Sequence, residues 1–285
     1  MHYRGLFIGL TTIDIQYFVK DFPESNKKIK TNPPDIWVGG PATNAAVAFA
    51  YLNDGAHLVS AVGNNSFASF IANDFRSNKI DFTDIIASQQ AKPIVASVIT
   101  SGDGDRNIFT HNPSEIFSEI NIQQLFATVK PQIILLDGFY SEFSIDCAKL
   151  ANEKGIPVVI DCGSWKKQYK ELLKYTDVVI CSADFFPPQC NNSSDVFNYL
   201  ETKGVSKIAI TRGGQSILYQ DLSKRGEVTV QNTVVVDTLG AGDFLHGAFC
   251  YYFTKKNYFV NALSKAAEIA TFSCGFKGTR VWLKK

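Results

Sequence analysis

Short apolar runs alternate with amphipathic segments along most of the chain. Residues 5–10, 57–62, 132–137, 156–161, 177–181 and 207–211 are rich in β-branched and other apolar residues and bounded by Gly, Pro or Asp, which predicts buried strands. Between and around them, residues 42–52, 67–77, 122–129, 144–154, 165–174 and 194–203 carry apolar side chains at helical spacing. A strand followed by a helix, repeated many times, predicts an α/β fold with a mostly parallel sheet covered on both faces. Beyond residue 211 the pattern predicts strands at 215–219, 226–231 and 233–236, then two final helices at 241–252 and 260–274.

Two regions break the rhythm. Residues 14–38 and 94–111 have no helical period but alternate in twos, as in Ile15, Tyr17, Val19 and Val95, Ser97, Ile99. The second contains Ser101-Gly-Asp-Gly-Asp105, a strong hairpin turn. These read as two β-excursions that pair away from the main sheet as a small flap, with plain surface hairpins as the alternative. No repeat, low-complexity tract or linker divides the chain, so residues 1–285 are expected to form one domain.

Composition narrows the classes. The 285 residues are 45% hydrophobic and 19% charged, with 28 basic against 27 acidic side chains. So even a balance argues against nucleic-acid binding, which needs clustered Lys and Arg, and against intrinsic disorder. No apolar run approaches membrane-spanning length. The six cysteines form no CxxC pair, and His2, His57, His111 and His246 show no zinc-ligand spacing. These features, with no leader pattern at the N-terminus, predict a cytoplasmic protein with reduced thiols.

Two stretches carry chemistry. In Asp237-Thr-Leu-Gly240-Ala241-Gly242-Asp243-Phe-Leu-His-Gly247 two glycines precede a long apolar helix. Such glycines let successive N–H groups converge on an anion, and the helix N-terminus adds its positive end. Asp243, in the first turn, suits a general base that takes a proton from a hydroxyl attacking phosphorus. The alternative is a tight turn with Asp243 only complementing the helix dipole. In Gly39-Gly40-Pro41-Ala42-Thr43-Asn44 a second glycine pair opens a small-residue helix. Asn44 offers a polyol both donor and acceptor, or bonds to nearby backbone.

Asp14 in an early strand, GGPATN at 39–44, Thr211-Arg212-Gly213-Gly214 and DTLGAGD at 237–243 occur in the order seen in the ribokinase-like carbohydrate kinases of the PfkB type. Nearly the whole chain resembles that family. The resemblance implies a three-layer α/β/α sandwich with a β-sheet lid and ATP-dependent transfer of the γ-phosphate to a sugar hydroxyl. It implies Asp243 as base, Gly240, Ala241 and Gly242 as the backbone anion hole, and Asp14, Gly40 and Asn44 as holders of sugar hydroxyls. Thr211, Gly213 and Gly214 would line the nucleotide. Asp237, with the Leu239 carbonyl, would form a monovalent-cation loop for K+, and Mg2+ would accompany ATP. The family's lids often pair between subunits, which implies a homodimer.

Two departures stand out. Where the family often has Asn-x-x-Glu, this chain reads Ser182-Ala-Asp184-Phe, leaving Asp161 or Asp184 to support magnesium. Pro41 stands where several sugar kinases place Asn, removing a hydroxyl contact. Residues 9–19, the DTLGAGD run and residues 274–280 look most like ketose kinases and sulfofructose kinase. Nucleoside acceptors and a catalytically silent sugar or nucleotide sensor are the alternatives. An oxidoreductase is excluded because residues 5–9 lack the GxGxxG turn, and an ordinary P-loop kinase because no GxxxxGK[ST] exists.

Overall fold

A computed structural model describes residues 4–285 except Asp103, Ser114, Glu115, Glu119 and Asn257; His2 and the tip residue Asp103 of the 101–105 turn therefore lie outside the described residues. The main sheet has nine strands in the order β13-β12-β11-β10-β9-β8-β1-β4-β5. Its strands are β1 (Gly5–Ile8), β4 (Ala56–Ser60), β5 (Ile80–Asp84), β8 (Ile133–Leu136), β9 (Val158–Cys162), β10 (Val178–Ser182), β11 (Lys207–Arg212), β12 (Gln215–Asp221) and β13 (Lys224–Val228). All pairings from β5 to β11 are parallel, and β12 and β13 add an antiparallel edge.

Neighbouring residues of one strand enter different cores. Phe7, Leu135, Val159 and Ile180 pack under α1 (Pro41–Asn53), α2 (Ala68–Ser77), α7 (Ala241–Lys256) and α8 (Phe259–Ser273). Leu6, Ile8, Leu136, Ile160 and Val179 pack under α3 (Ile122–Val129), α4 (Ser141–Glu153), α5 (Tyr169–Leu172) and α6 (Ser193–Thr202). This is why the central strands read as unbroken apolar runs: both faces are covered, so no position faces water.

The 14–38 and 94–111 regions supply a second sheet of four strands, β3-β2-β6-β7, built from β2 (Thr12–Phe18), β3 (Asp35–Gly39), β6 (Val95–Thr100) and β7 (Arg106–Phe109). The β6–β7 turn closes through Ser101 N–H donating to the Asp105 carbonyl at 2.9 Å. Between β2 and β3, residues 19–34 form no element.

Three sequence expectations change. The helix expected at 165–174 shrinks to α5 and one 3-10 turn. Its first residues are drawn into an aromatic cluster in which Trp165 meets Tyr169, Phe185 and Tyr199. The strand expected at 233–236 finds no partner strand among the described residues: Val234 is 84% exposed, and Val236 donates its N–H to the Cys274 carbonyl instead. Strand β5 was missed because its sequence, IDFTD, is half polar, as a half-exposed edge strand can be.

Candidate active site

The site lies beyond the carboxyl ends of the parallel strands, where open α/β sheets bind ligands. Helices α1 and α7 meet there with almost no space between them. A Cβ added at Gly247 would lie 1.9 Å from the Ala45 carbonyl oxygen, so only glycine permits this approach. One turn earlier on α7, and next to Ala45 on α1, the same contact brings Asn44 to Asp243. The Asn44 Nδ2 donates to Asp243 Oδ2 at 2.9 Å.

Asp243 faces a cavity of about 560 Å³ that is also lined by Pro41, Asp137, Asp161, Trp165 and Lys166. Burial pushes its carboxyl up to about 7, and the nearby Asp161 charge adds to the rise. The Asn44 bond, His246 and Arg106 pull the other way without cancelling it. Such a carboxylate is matched to accepting a proton near neutral pH.

The glycine loop makes a tight turn into α7. Gly240 has φ +77° and caps α7, its carbonyl accepting from Phe244 N–H at 2.8 Å. Ala241 does not offer a free amide, because its N–H donates to the Thr238 carbonyl at 3.2 Å. The first-turn amides of Gly242 and Asp243 have no carbonyl behind them in the helix, and Gly242 is exposed. The amides open at this helix start are therefore those of Gly242 and Asp243, one residue further into the helix than expected.

Gly40 caps α1 with φ +103°, and a Cβ there would sit 2.3 Å from the Leu10 carbonyl oxygen. Its neighbour α1 is anchored by Asp137, which accepts from Leu10 N–H at 2.7 Å and Ala42 N–H at 3.3 Å. Burial raises the Asp137 carboxyl to about 6, against the amide bonds and the Lys166 charge. Asp14, on β2, is buried; its Oδ1 accepts from the Thr12 hydroxyl at 2.6 Å, and burial raises its carboxyl despite that bond and the Arg280 charge. Asp14 makes no direct bond to Asn44 or Asp243.

Thr211, Gly213 and Gly214 lie at the β11–β12 turn, away from the Asn44–Asp243 contact. Gly213 needs its φ of +59°, and neither glycine has anything near an added Cβ. Thr211 is level with Ser182 on β10, which places the turn beside the end of the neighbouring strand.

Asp237 is already bonded within the protein. Its two carboxylate oxygens accept from the Gln16 side-chain amide at 2.7 Å, Leu239 N–H at 2.9 Å and Gly278 N–H at 2.8 Å. Three donors thus converge on this carboxylate, which a cation bound there would have to share. Magnesium is different, since it is held largely by phosphate oxygens and water and needs few protein groups. Asp161 lines the cavity near Asp243 and fits that need, while the exposed Asp184 only donates its N–H to Ser182 Oγ.

The pfkB family carbohydrate kinase model matches residues 5–285. The chain belongs to this family. This pfkB-family kinase is 23% identical over 256 residues to a ribokinase of Lactococcus lactis, covering 87% of this chain and 83% of that protein. It is 24% identical over 256 residues to a nucleoside kinase of Methanocaldococcus jannaschii, covering 87% and 82%. Ketohexokinase of Mus musculus is 20% identical, with 96% of each chain covered. Among solved structures, ribokinase from Giardia lamblia aligns with a TM-score of 0.85 at 18% identity, covering 98% of this chain and 96% of that one. Arabidopsis thaliana ribokinase complexed with ribose and ATP aligns at 0.76 and 20% identity, covering 100% and 98%. The kinase is thus a phosphotransferase with a hydroxyl acceptor, and ATP use follows from the family. No helix among the described residues is long and apolar enough to cross a membrane.

Sequence reasoning missed several groups of the site. Asp137 ends the apolar run of β8 and is followed by Gly138, the one local sign that a polar group was wanted there. His246 showed only an absence of metal-ligand spacing; it is buried, and its two ring nitrogens face the Gly242 carbonyl at 2.7 Å and the Ile180 carbonyl at 3.1 Å. Gln16 had no visible signal: its bonds to Thr100, Trp37 and Asp237 join residues distant in sequence.

Proposed function

We propose that this kinase transfers the γ-phosphate of ATP to a hydroxyl of a small neutral polyol, a ketose or ketose derivative. The observation that carries the reading is the Asn44–Asp243 contact at 2.9 Å, which holds a carboxylate of raised basicity beside the open amides of α7. In this reading Asp243 takes the acceptor hydroxyl's proton as that oxygen bonds to the γ-phosphorus. The bond from phosphorus to the β,γ-bridging oxygen breaks and ADP leaves with its electron pair. The Gly242 and Asp243 N–H groups stabilise the charge on the transferred group. Magnesium arriving with ATP would neutralise phosphate charge, with Asp161 beside its water shell.

Cavity chemistry supports a neutral acceptor. Three carboxylates, Asp137, Asp161 and Asp243, line it against one cation, Lys166. Pro41 adds no hydrogen-bonding group at its rim. Asp14, Gly40 and Asn44 would hold acceptor hydroxyls, and Thr211, Gly213 and Gly214 the nucleotide. The four-stranded sheet would act as the lid, its Arg106 reaching Thr238 of the glycine loop. Exposed Ile36, Ile108 and Phe109 on that sheet support pairing of two copies through it, and the six free thiols support a reducing, cytoplasmic setting.

The test is ADP release with D-fructose, D-ribose, 2-deoxy-D-ribose, fructosamine and adenosine as acceptors. A ketose should give the highest kcat/KM. Adenosine turning over fastest would move the reading to a nucleoside kinase, and binding without ADP release would make the protein a sensor.

A further inference from the structure

Arg280 lies near the C-terminal end, 236 positions from Asn44, and is buried behind the site. Its Nη1 donates to Asn44 Oδ1 at 2.9 Å. Its Nε and Nη2 donate to the Asp74 carboxylate on α2 at 3.0–3.3 Å, and Nη2 also reaches the Val38 carbonyl on β3 at 2.8 Å. Nη1 makes a second bond to the Thr279 carbonyl at 3.2 Å. With these bonds its donors are committed inward, so Arg280 is not available to a second anionic group on a substrate.

A guanidinium carries donors and no acceptor. Its partner atom on Asn44 must therefore be the oxygen, and the amide nitrogen is forced to the opposite side, where Asp243 stands. Without Arg280 the amide could turn over and set its oxygen against the carboxylate, which repels it. We infer that Arg280 is a positioning residue that fixes the Asn44 side chain so that its N–H group holds the Asp243 carboxylate in place. The Asp74 carboxylate and the Val38 carbonyl in turn hold the guanidinium, so the line Asp74–Arg280–Asn44–Asp243 joins α2, the C-terminal segment, α1 and α7. This rests on the reading of Asp243 as the base.

The test is a double-mutant cycle read in kcat, with the acceptor that releases ADP fastest in the panel above. Arg280→Lys keeps a cation for Asp74 but not the fork that reaches both Asp74 and Asn44. It should lower kcat by about tenfold or more while KM for ATP stays within about twofold. In an Asn44→Ala background the same change should add almost nothing to the loss in kcat. An unchanged kcat in Arg280→Lys, or an equal loss with and without Asn44, overturns the inference. If Arg280→Lys does not fold, Asn44→Ala decides alone: a normal kcat in that variant overturns the assignment. Asp243→Asn separates the two levels. Loss of turnover there with a normal Arg280→Lys sinks only the role of Arg280, whereas retained turnover in Asp243→Asn sinks the base and the inference with it.

Discussion

Two regions of the molecule, the α1–α7 contact and the β11–β12 turn, are built in opposite ways. Around Asn44 and Asp243 nearly every polar atom has a partner, two helices are in backbone contact, and a buried arginine locks the amide. At the β11–β12 turn, Gly213 and Gly214 stand exposed with nothing around them, and Arg212 folds back onto the Ser216 carbonyl at 2.6–2.9 Å. The pinned end suits a step in which one proton and one oxygen must be aligned to a fraction of an ångström. The open end suits a large ligand that brings its own charge and shape. Order is thus concentrated at the α1–α7 contact rather than shared between the two regions.

That contrast can be broken most severely at Asp243. Asp243→Asn should lower kcat by about 10² to 10⁴, the range of general-base contributions, with KM for ATP little changed. Steady-state kinetics at saturating acceptor checks this. Next comes Gly247→Val, which pushes a side chain into the Ala45 backbone. It should cost about 3 kcal/mol or more of stability, seen as a lower midpoint in urea, and reduce kcat because Asn44 moves away from Asp243.

The pH profile sharpens the same comparison. Asp243 must be ionised to accept a proton and its carboxyl is raised to about 7, so kcat should fall as pH drops through roughly that value. A flat profile between pH 5 and 8, measured with chemistry rate-limiting, would contradict this assignment. At the open end the effect should be smaller: Gly213→Ala, strained at φ +59°, should cost about 1 kcal/mol and raise KM for ATP more than KM for the acceptor. Smallest of all is the response to potassium. Because the Asp237 carboxylate already accepts three N–H groups, replacing K+ with a large organic cation should change kcat little, and a strong K+ activation would refute that view.

Much of the fold was legible because its signals are local. Strands covered on both faces must be apolar throughout, so β1, β8, β9, β10 and β11 announce themselves, while the half-polar edge strand β5 does not. The run at 233–236 misled because β-branched residues mark a preference for extended backbone, not the presence of a partner strand. Within the site, Asn44 and Asp243 were legible through the glycines beside them, although their direct contact was not. Arg280 gives no sign of its role, since nothing in the spacing of residues 274–285 says which way a guanidinium will turn. Gln16 bonds Thr100 and Asp237, and Asp137 bonds Leu10 and Ala42, all more than 80 positions away, and such pairings have no one-dimensional signature.

The missing side chain at Gly247 has a consequence for how this enzyme can change. Two helices that touch through their main chains resist sliding past each other, so substitutions that leave this contact intact should carry Asn44 and Asp243 together. Under the proposed function, new acceptors would then be accommodated by the cavity residues that stand on connections between elements, Phe139, Trp165 and Lys166. Alignment of the reacting atoms is inherited as a fixed unit, and selectivity is left to the loops.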